Sequence, residues 1–381
     1  MAAAAAPSGE RHPPLWSDLP AELAGLILYR LPPRHADHLS FRAVCRQWRL
    51  AARRRRALPW LRLGGARAFR CLPGGELRSF TGWPAGECEC DAAGACSSDG
   101  WLLLERRRSP GRRACFFFLA DPFSGATIEL PPRLPGVAGD DDDAAMIPVV
   151  SLADKMAVRS PDRLVAASLH GMAIGFFTPG AATWSVSPPP PPSPPPDGHR
   201  RGSYYDDIAF HRGNLYALTA DEDLFAHHLA PNGDAGAGTP PHVEHAIKAA
   251  PPPTNNLGQL PSRTTRYLLA GAATPRGGGG GEDGRLLMVR LSTGEARPGH
   301  ARLSSRWLKV KVFAAELDAG RWREVGRLED GEALFVSRGC SRALRMASDG
   351  DVGGDDDERF QGNRVYFLGI DMAGCGEEND S

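Results

Sequence analysis

The apolar positions of this chain change period once, near Trp60, from helical to strand-like spacing. Before that point Leu19, Leu23, Leu26, Ile27 and Leu31 recur at helical intervals and line one stripe. Asp18 is placed to cap this helix, and Pro20 falls in the first turn, where amides lack partners anyway. Pro32-Pro33 ends it. A second short helix is expected from about Ala36. There Phe41, Val44, Cys45 and Trp48 follow the i, i+3, i+4, i+7 pattern, with Arg42, Arg46, Gln47 and Arg49 on the polar side.

After Trp60 the apolar residues come in short runs, most of them bounded by Gly, Pro, Asn or Asp, and these read as strands. The runs are Trp101–Leu104, Ala114–Ala120, Leu164–Leu169, Met172–Phe177, Tyr205–Phe210, Leu215–Leu218, Leu224–Leu229, Tyr267–Ala270, Leu286–Leu291, Val310–Leu317, Ala333–Val336 and Arg364–Ile370. A hairpin unit repeats among them. Phe116–Pro122 with Gly125 leads to a strand ending Ile128-Glu129-Leu130, and Gly175–Gly180 leads to Thr183-Trp184-Ser185-Val186. Lys311–Asp318 with Gly320 leads to Trp322 and Val325, and Gly213–Leu218 before Asp223-Leu224-Phe225 follows the same logic. Hairpins recurring at roughly 40–60 residues favour a β-propeller over a sandwich or barrel. The period is too irregular to give a blade count.

Composition refines this picture in places. The chain has 381 residues, enough for one small module and one large domain, and its 44 Gly and 34 Pro fall largely in a few clusters. Pro188–Pro196 reads as extended and polyproline-like, residues 231–264 as a long loop, and Arg276–Gly284 as a flexible glycine run. Residues 1–13 and 373–381 read as a disordered leader and tail. Lys+Arg and Asp+Glu balance at 45 each, which argues against a polyanionic partner. The N-terminus lacks the features of a secretory signal, and no window approaches the roughly 18 apolar residues of a membrane span. With eight cysteines expected to be reduced, the reading is a cytoplasmic or nuclear protein without a membrane partner.

Candidate chemistry is sparse. No GxSxG elbow, HExxH helix, P-loop or Rossmann fingerprint occurs, so no catalytic residue and no cofactor are expected. Cys88, Cys90 and Cys96 lack the second ligand pair of a zinc site. His227 and His228 are adjacent in a strand, so their side chains point to opposite faces and do not clamp one ion. Asp140–Asp143 lacks calcium-loop spacing and reads as a solvated acidic loop, and no metal is expected. Arg53–Arg56 suits a solvated helix end or a nuclear localisation patch. Without an aromatic platform beside it, no nucleic-acid partner is expected.

The helical module carries a resemblance. Leu19-Pro20-x-Glu22-Leu23, Ile27-Leu28-x-x-Leu31-Pro32 and Val44-Cys45-x-x-Trp48-Arg49 resemble the F-box family across the whole module. One departure is His38, where that family often has an apolar residue. The resemblance implies binding to a Skp-type adaptor, and through it to a cullin–RING ubiquitin ligase. It places adaptor binding on Leu19, Pro20, Leu23, Ile27, Leu31, Val44, Cys45 and Trp48.

The β region is similar in the order of its segments to the plant F-box-associated propeller family. Those segments are Ser98–Leu104, Leu119–Pro132, Asp207–Ala217, Lys311–Phe313 and Gly362–Phe367. The expected architecture is therefore multi-domain, a small all-α F-box module at 14–58 followed by an all-β propeller at 98–372. Residues 59–97 hold a linker and first strands, and insertions interrupt the propeller near 188–202, 231–264 and 274–284. The implied function is a non-catalytic substrate receptor whose target is not identified. A non-ligase scaffold would share both folds, and a propeller enzyme would need acids or histidines converging in its channel.

Overall fold

The computed structural model describes residues 16–31, 35–52, 60–62, 68–72, 77–79, 90–94, 101–107, 115–121, 125–132, 153–159, 162–187, 204–229, 241–249, 263–272, 284–296, 305–329, 331–346 and 360–367. The expectations for the leader, the Arg53–Arg56 run, Asp140–Asp143, the polyproline and glycine runs and the tail lie outside these residues. The chain forms two units, one ending at Ser79 and one beginning at Phe80.

The first unit holds α1 (Ala21–Arg30), α2 (His35–Val44), α3 (Arg46–Ala52) and a small antiparallel sheet of β1 (Trp60–Arg62), β2 (Ala68–Cys71) and β3 (Leu77–Ser79). Asp18 does not cap α1. It lies in a 3-10 turn, Trp16–Asp18, while extended Pro20 is the N-cap and makes no side-chain cap bond. Phe41 and Trp48, which the pattern assigns to one helix, sit on two, because the chain breaks between Val44 and Arg46. Their rings still meet, with centroids 4.4 Å apart.

The second unit contains five sheets, the blades of a five-bladed propeller. The first is β4 (Cys90–Gly94), β5 (Leu102–Arg107), β6 (Cys115–Ala120) and β7 (Thr127–Leu130). The second is β8 (Ala153–Arg159), β9 (Leu164–Leu169), β10 (Ala173–Phe177) and β11 (Ser185–Ser187). The third is β12 (Tyr205–His211), β13 (Asn214–Thr219), β14 (Leu224–His228) and β15 (His242–Ile247). The fourth is β16 (Arg263–Ala270), β17 (Leu286–Ala296), β18 (Ser305–Glu316) and β19 (Arg321–Glu324). These four are antiparallel meanders. The fifth joins β20 (Glu332–Val336), β21 (Arg342–Arg345) and β22 (Arg364–Phe367) in the order β21-β20-β22, with β22 parallel to β20.

Successive blades share cores, and strand alternation decides which residue enters which core. In β9, Val165, Ala167 and Leu169 pack with Leu103, Phe117 and Leu119 of the first blade. Leu164 and Ala166 point the other way, onto Ile208, Leu215 and Phe225 of the third. β13 repeats the split, Leu215 and Ala217 facing the second blade and Tyr216 and Leu218 the fourth. So does β17, with Leu286 and Met288 facing the third blade and Leu287, Val289 and Leu291 the fifth. A middle strand buried on both faces needs an unbroken apolar run, which is why these strands are the legible ones.

The repeated tryptophans fasten neighbours. Trp184 Nε1–H donates to the Pro131 carbonyl of the first blade at 2.9 Å, and Trp322 Nε1–H to the Glu222 carbonyl of the third at 2.8 Å. A Cβ on Gly175 would lie 3.2 Å from the Trp184 ring, so glycine there makes room for the indole.

After Ser98, three strands fall where the apolar pattern marks none: β8, β15 and β21. β8 carries Asp154 and Lys155 near its start, which break its apolar run. β15 lies inside the stretch 231–264 expected to be a loop; of its residues only Ile247 is fully buried, so its pattern is mostly polar. The first blade begins at Cys90, ahead of Ser98.

The charge in β8 has a partner. β12 packs beside both β8 and β16, and the Lys155 ammonium donates to Asp207 Oδ1 in the interior. The same oxygen accepts Ile208 N–H at 2.8 Å, and Oδ2 accepts Leu268 N–H of β16 at 2.7 Å. Bulges put both residues there, one between Ala153 and Lys155 and one between Tyr205 and Asp207. Burial pushes the Asp207 carboxyl above its ordinary range, while Lys155 and the two N–H donors pull it back. Glu332 does related work between the fourth and fifth blades, accepting Ala272 N–H at 2.9 Å and the Arg285 guanidinium at 2.8 Å.

Asp207→Ala strands a buried ammonium and two N–H groups, so the propeller is expected to lose about 3–5 kcal/mol in urea unfolding. In a cycle with Lys155→Ala, the coupling should exceed about 1 kcal/mol; additive losses would mean the two do not interact. His227 gives a second test. It is fully buried, its Nδ1 is 3.0 Å from Ser187 Oγ, and burial together with neighbouring His228 lowers its pKa from 6.5 to about 4. As pH falls from about 6.5 to about 4, the unfolded imidazole protonates before the folded one, so stability declines by up to about 1.4 kcal/mol per pH unit. His227→Asn should make that decline shallower between pH values near 7 and 5, and an unchanged slope would contradict the assignment.

Candidate adaptor-binding face

The helical module is too small to bury all its apolar residues, and its geometry divides them into two sets. Ala24 and Leu28 of α1 are buried with Phe41, Trp48 and Ala52. Leu19, Ile27, Leu31 and Cys45 pack against that cluster while staying partly exposed. Of the sequence-marked residues, Pro20, Leu23 and Val44 face solvent, and Trp48 does not. Trp48 is the centre of the core, 6 % exposed, with Phe41 tilted over it and Trp16 set edge-on at 6.2 Å.

The marked residues therefore form two layers, not one surface. The outer layer includes a residue the motif leaves out. Leu26 is 59 % exposed and Leu23 47 %, three positions apart on α1, so they lie on one side of the helix. Trp16 and Leu50 are exposed as well. The helical stripe already contained Leu26, but periodicity does not say which edge of a stripe faces inward. Leu28 is the converse, since it lies off the spaced set yet is 4 % exposed and central to the core.

His38, the departure from the resemblance, has a structural use. Its Nε2 lies 3.2 Å from the Ala52 carbonyl. A carbonyl only accepts, so the ring nitrogen carries the proton and donates. Ala52 ends α3, whose last carbonyls lack partners within the helix, so His38 satisfies one of them and ties α2 to α3. Arg49 adds a longer bond to the Arg42 carbonyl at 3.4 Å.

In the propeller, His227 and His228 do point to opposite faces. His227 is interior, while His228 is exposed and 2.8 Å from Glu244. Among the described residues no group of three or more His, Cys, Asp or Glu is placed to hold a metal ion. Cys88 and Cys96 lie outside those residues. No described helix is long and apolar enough to cross a membrane.

Two family comparisons fit this architecture. The F-box domain model matches residues 16–58, and the KIB1-4 beta-propeller model matches residues 77–381. A comparison with curated proteins gave no match. F-box domains bind Skp-type adaptors, and F-box proteins are generally non-catalytic. The chain belongs to the KIB1-4 beta-propeller family and carries an F-box domain at its N-terminus, the arrangement of an F-box substrate-receptor type protein.

Proposed function

We propose that this chain is the substrate receptor of a Skp–cullin–F-box type ubiquitin ligase, with the helical module docking on the adaptor and the propeller holding a target protein. One observation carries the adaptor half. Helix α1 has a second apolar edge, Leu23 and Leu26, which its own module leaves about half exposed. Covering each is worth about 1–2 kcal/mol, half or more of a full leucine burial. Pro20, Val44 and the partly exposed Leu19, Ile27, Leu31 and Cys45 complete the docking set, and Trp48 supports it from beneath.

The ligase role needs no bond chemistry from this chain. Holding a target near a charged ubiquitin-conjugating enzyme raises the effective concentration of its lysines. Such a receptor works in the cytosol or the nucleus, and we propose that location for this chain.

Leu23 and Leu26 separate docking from folding better than Leu19, which also packs against the core. Leu23→Asp with Leu26→Asp should abolish co-purification of the full chain with a Skp-type adaptor and leave the far-UV circular dichroism and melting unchanged. Adaptor binding retained by that double variant would overturn the reading. Trp48→Ala should act differently, removing about 3–5 kcal/mol of core packing and losing the adaptor through unfolding of the module.

A further inference from the structure

The fourth blade is built longer than its neighbours on one hairpin. β17 spans 11 residues and β18 spans 12, and they pair from Leu287↔Ala314 out to Ala296↔Ser305. On the other side of β18, β19 pairs only with Phe313 to Glu316, and Val325 N–H adds one bond to the Val312 carbonyl at 2.8 Å. Among the described residues nothing pairs with the outer side of Ser305–Lys311.

The direction of the free backbone groups follows from Val312. In an antiparallel strand the N–H and C=O of one residue point to the same side, and sides alternate along the chain. The Val312 carbonyl faces away from β17, toward Val325, so the N–H and C=O of Val310 and Leu308 face outward too. These groups are spaced to accept another strand.

The side chains add selectivity. Four large apolar side chains are exposed in the described part of this unit, Met172, Tyr204, Leu308 and Val310, and two of them lie on this edge. Leu308 is 53 % exposed and Val310 36 %, extending outward the face whose inner members Val312 and Ala314 are buried. The opposite face is cationic. Arg266, Arg290 and Lys311 stand directly opposite one another across three strands, balanced by Glu222 and by Glu324, the latter 2.7 Å from Lys311. Lys309 lies next along that face and is exposed, and its charge acts on Glu324 together with those of Lys311 and Arg290.

We propose that the outer edge of β18, at Leu308–Val310, captures an extended segment of the target protein in which acidic and apolar residues alternate, added as an antiparallel strand. Its backbone would bond the outward groups of Leu308 and Val310. Its acidic side would meet Lys309 and its apolar side Leu308 and Val310. A second copy of this chain fits poorly, because antiparallel self-pairing brings the lysine faces of two strands together. This proposal rests on the recruiting role proposed above for the propeller.

The test uses the full chain and a fluorescent eight-residue peptide alternating Glu and Val. Controls are an alternating Lys–Val peptide and one with the same Glu and Val in two blocks. Anisotropy should show binding of the Glu–Val peptide alone, with the amides of Leu308 and Val310 newly protected from hydrogen exchange. Leu308→Pro removes only an outward N–H, a tolerated place for proline, and should weaken binding by about tenfold or more. Lys309→Glu should weaken it as well and shift preference to the Lys–Val peptide, which keeps the test decisive if the proline variant fails to fold.

No binding, protection elsewhere, equal binding by both variants, or self-association of the chain through β18 that the peptide does not displace would each overturn the proposal. Adaptor capture measured in the same preparations separates the two readings. Peptide binding without adaptor capture counts against the ligase role, and adaptor capture without peptide binding counts against the β18 edge.

Discussion

The propeller depends on a carboxylate that has no water to turn to. Asp207 stands in the interior of the second unit, accepting the Lys155 ammonium from the second blade and the Leu268 N–H from the fourth while belonging to the third. Desolvating such a group is costly unless every lone pair is met with good geometry. That demand is directional in a way apolar packing is not. Sliding β12 by one residue past β8 or β16 would strand both charges and turn its apolar residues to the wrong neighbours. The ion pair is best understood as a register constraint on three adjacent strands, around which the less specific apolar cores then fill.

The same constraint explains what could be read from the sequence. β9, β13 and β17 serve two cores each and so appear as uninterrupted apolar runs, plain without any structure. β8 is hidden by the residue that secures it, because a lysine near the start of a strand normally signals solvent. β15 is hidden for the opposite reason: an outer strand buries so little that His242, Glu244 and His245 remain on its surface. The repeat Trp184/Trp322 was legible as a pattern, but its meaning was not. That each indole reaches back to the preceding blade needs the distances to Pro131 and Glu222.

The helical module shows the limit more sharply. Its motif residues were legible, and the structure sorts them into a core around Trp48 and an outer edge at Leu23 that extends to Leu26. A stripe five apolar residues wide covers more of a helix than one contact face, and amphipathic spacing alone assigns no direction to its two edges. His38 was legible only as a departure. Its role at the Ala52 carbonyl depends on α2 and α3 lying side by side, which spacing does not encode.

In the function proposed above, the helical module meets the adaptor and the propeller meets the target. The adaptor is proposed to dock on α1. The most direct measurement is hydrogen exchange on the full chain with and without a Skp-type adaptor. Docking there should give new protection within Ala21–Arg30 and the neighbouring helices, with the exchange of β5, β9, β13 and β17 unchanged. Protection falling on the propeller strands, or none on α1 at saturating adaptor, would contradict it.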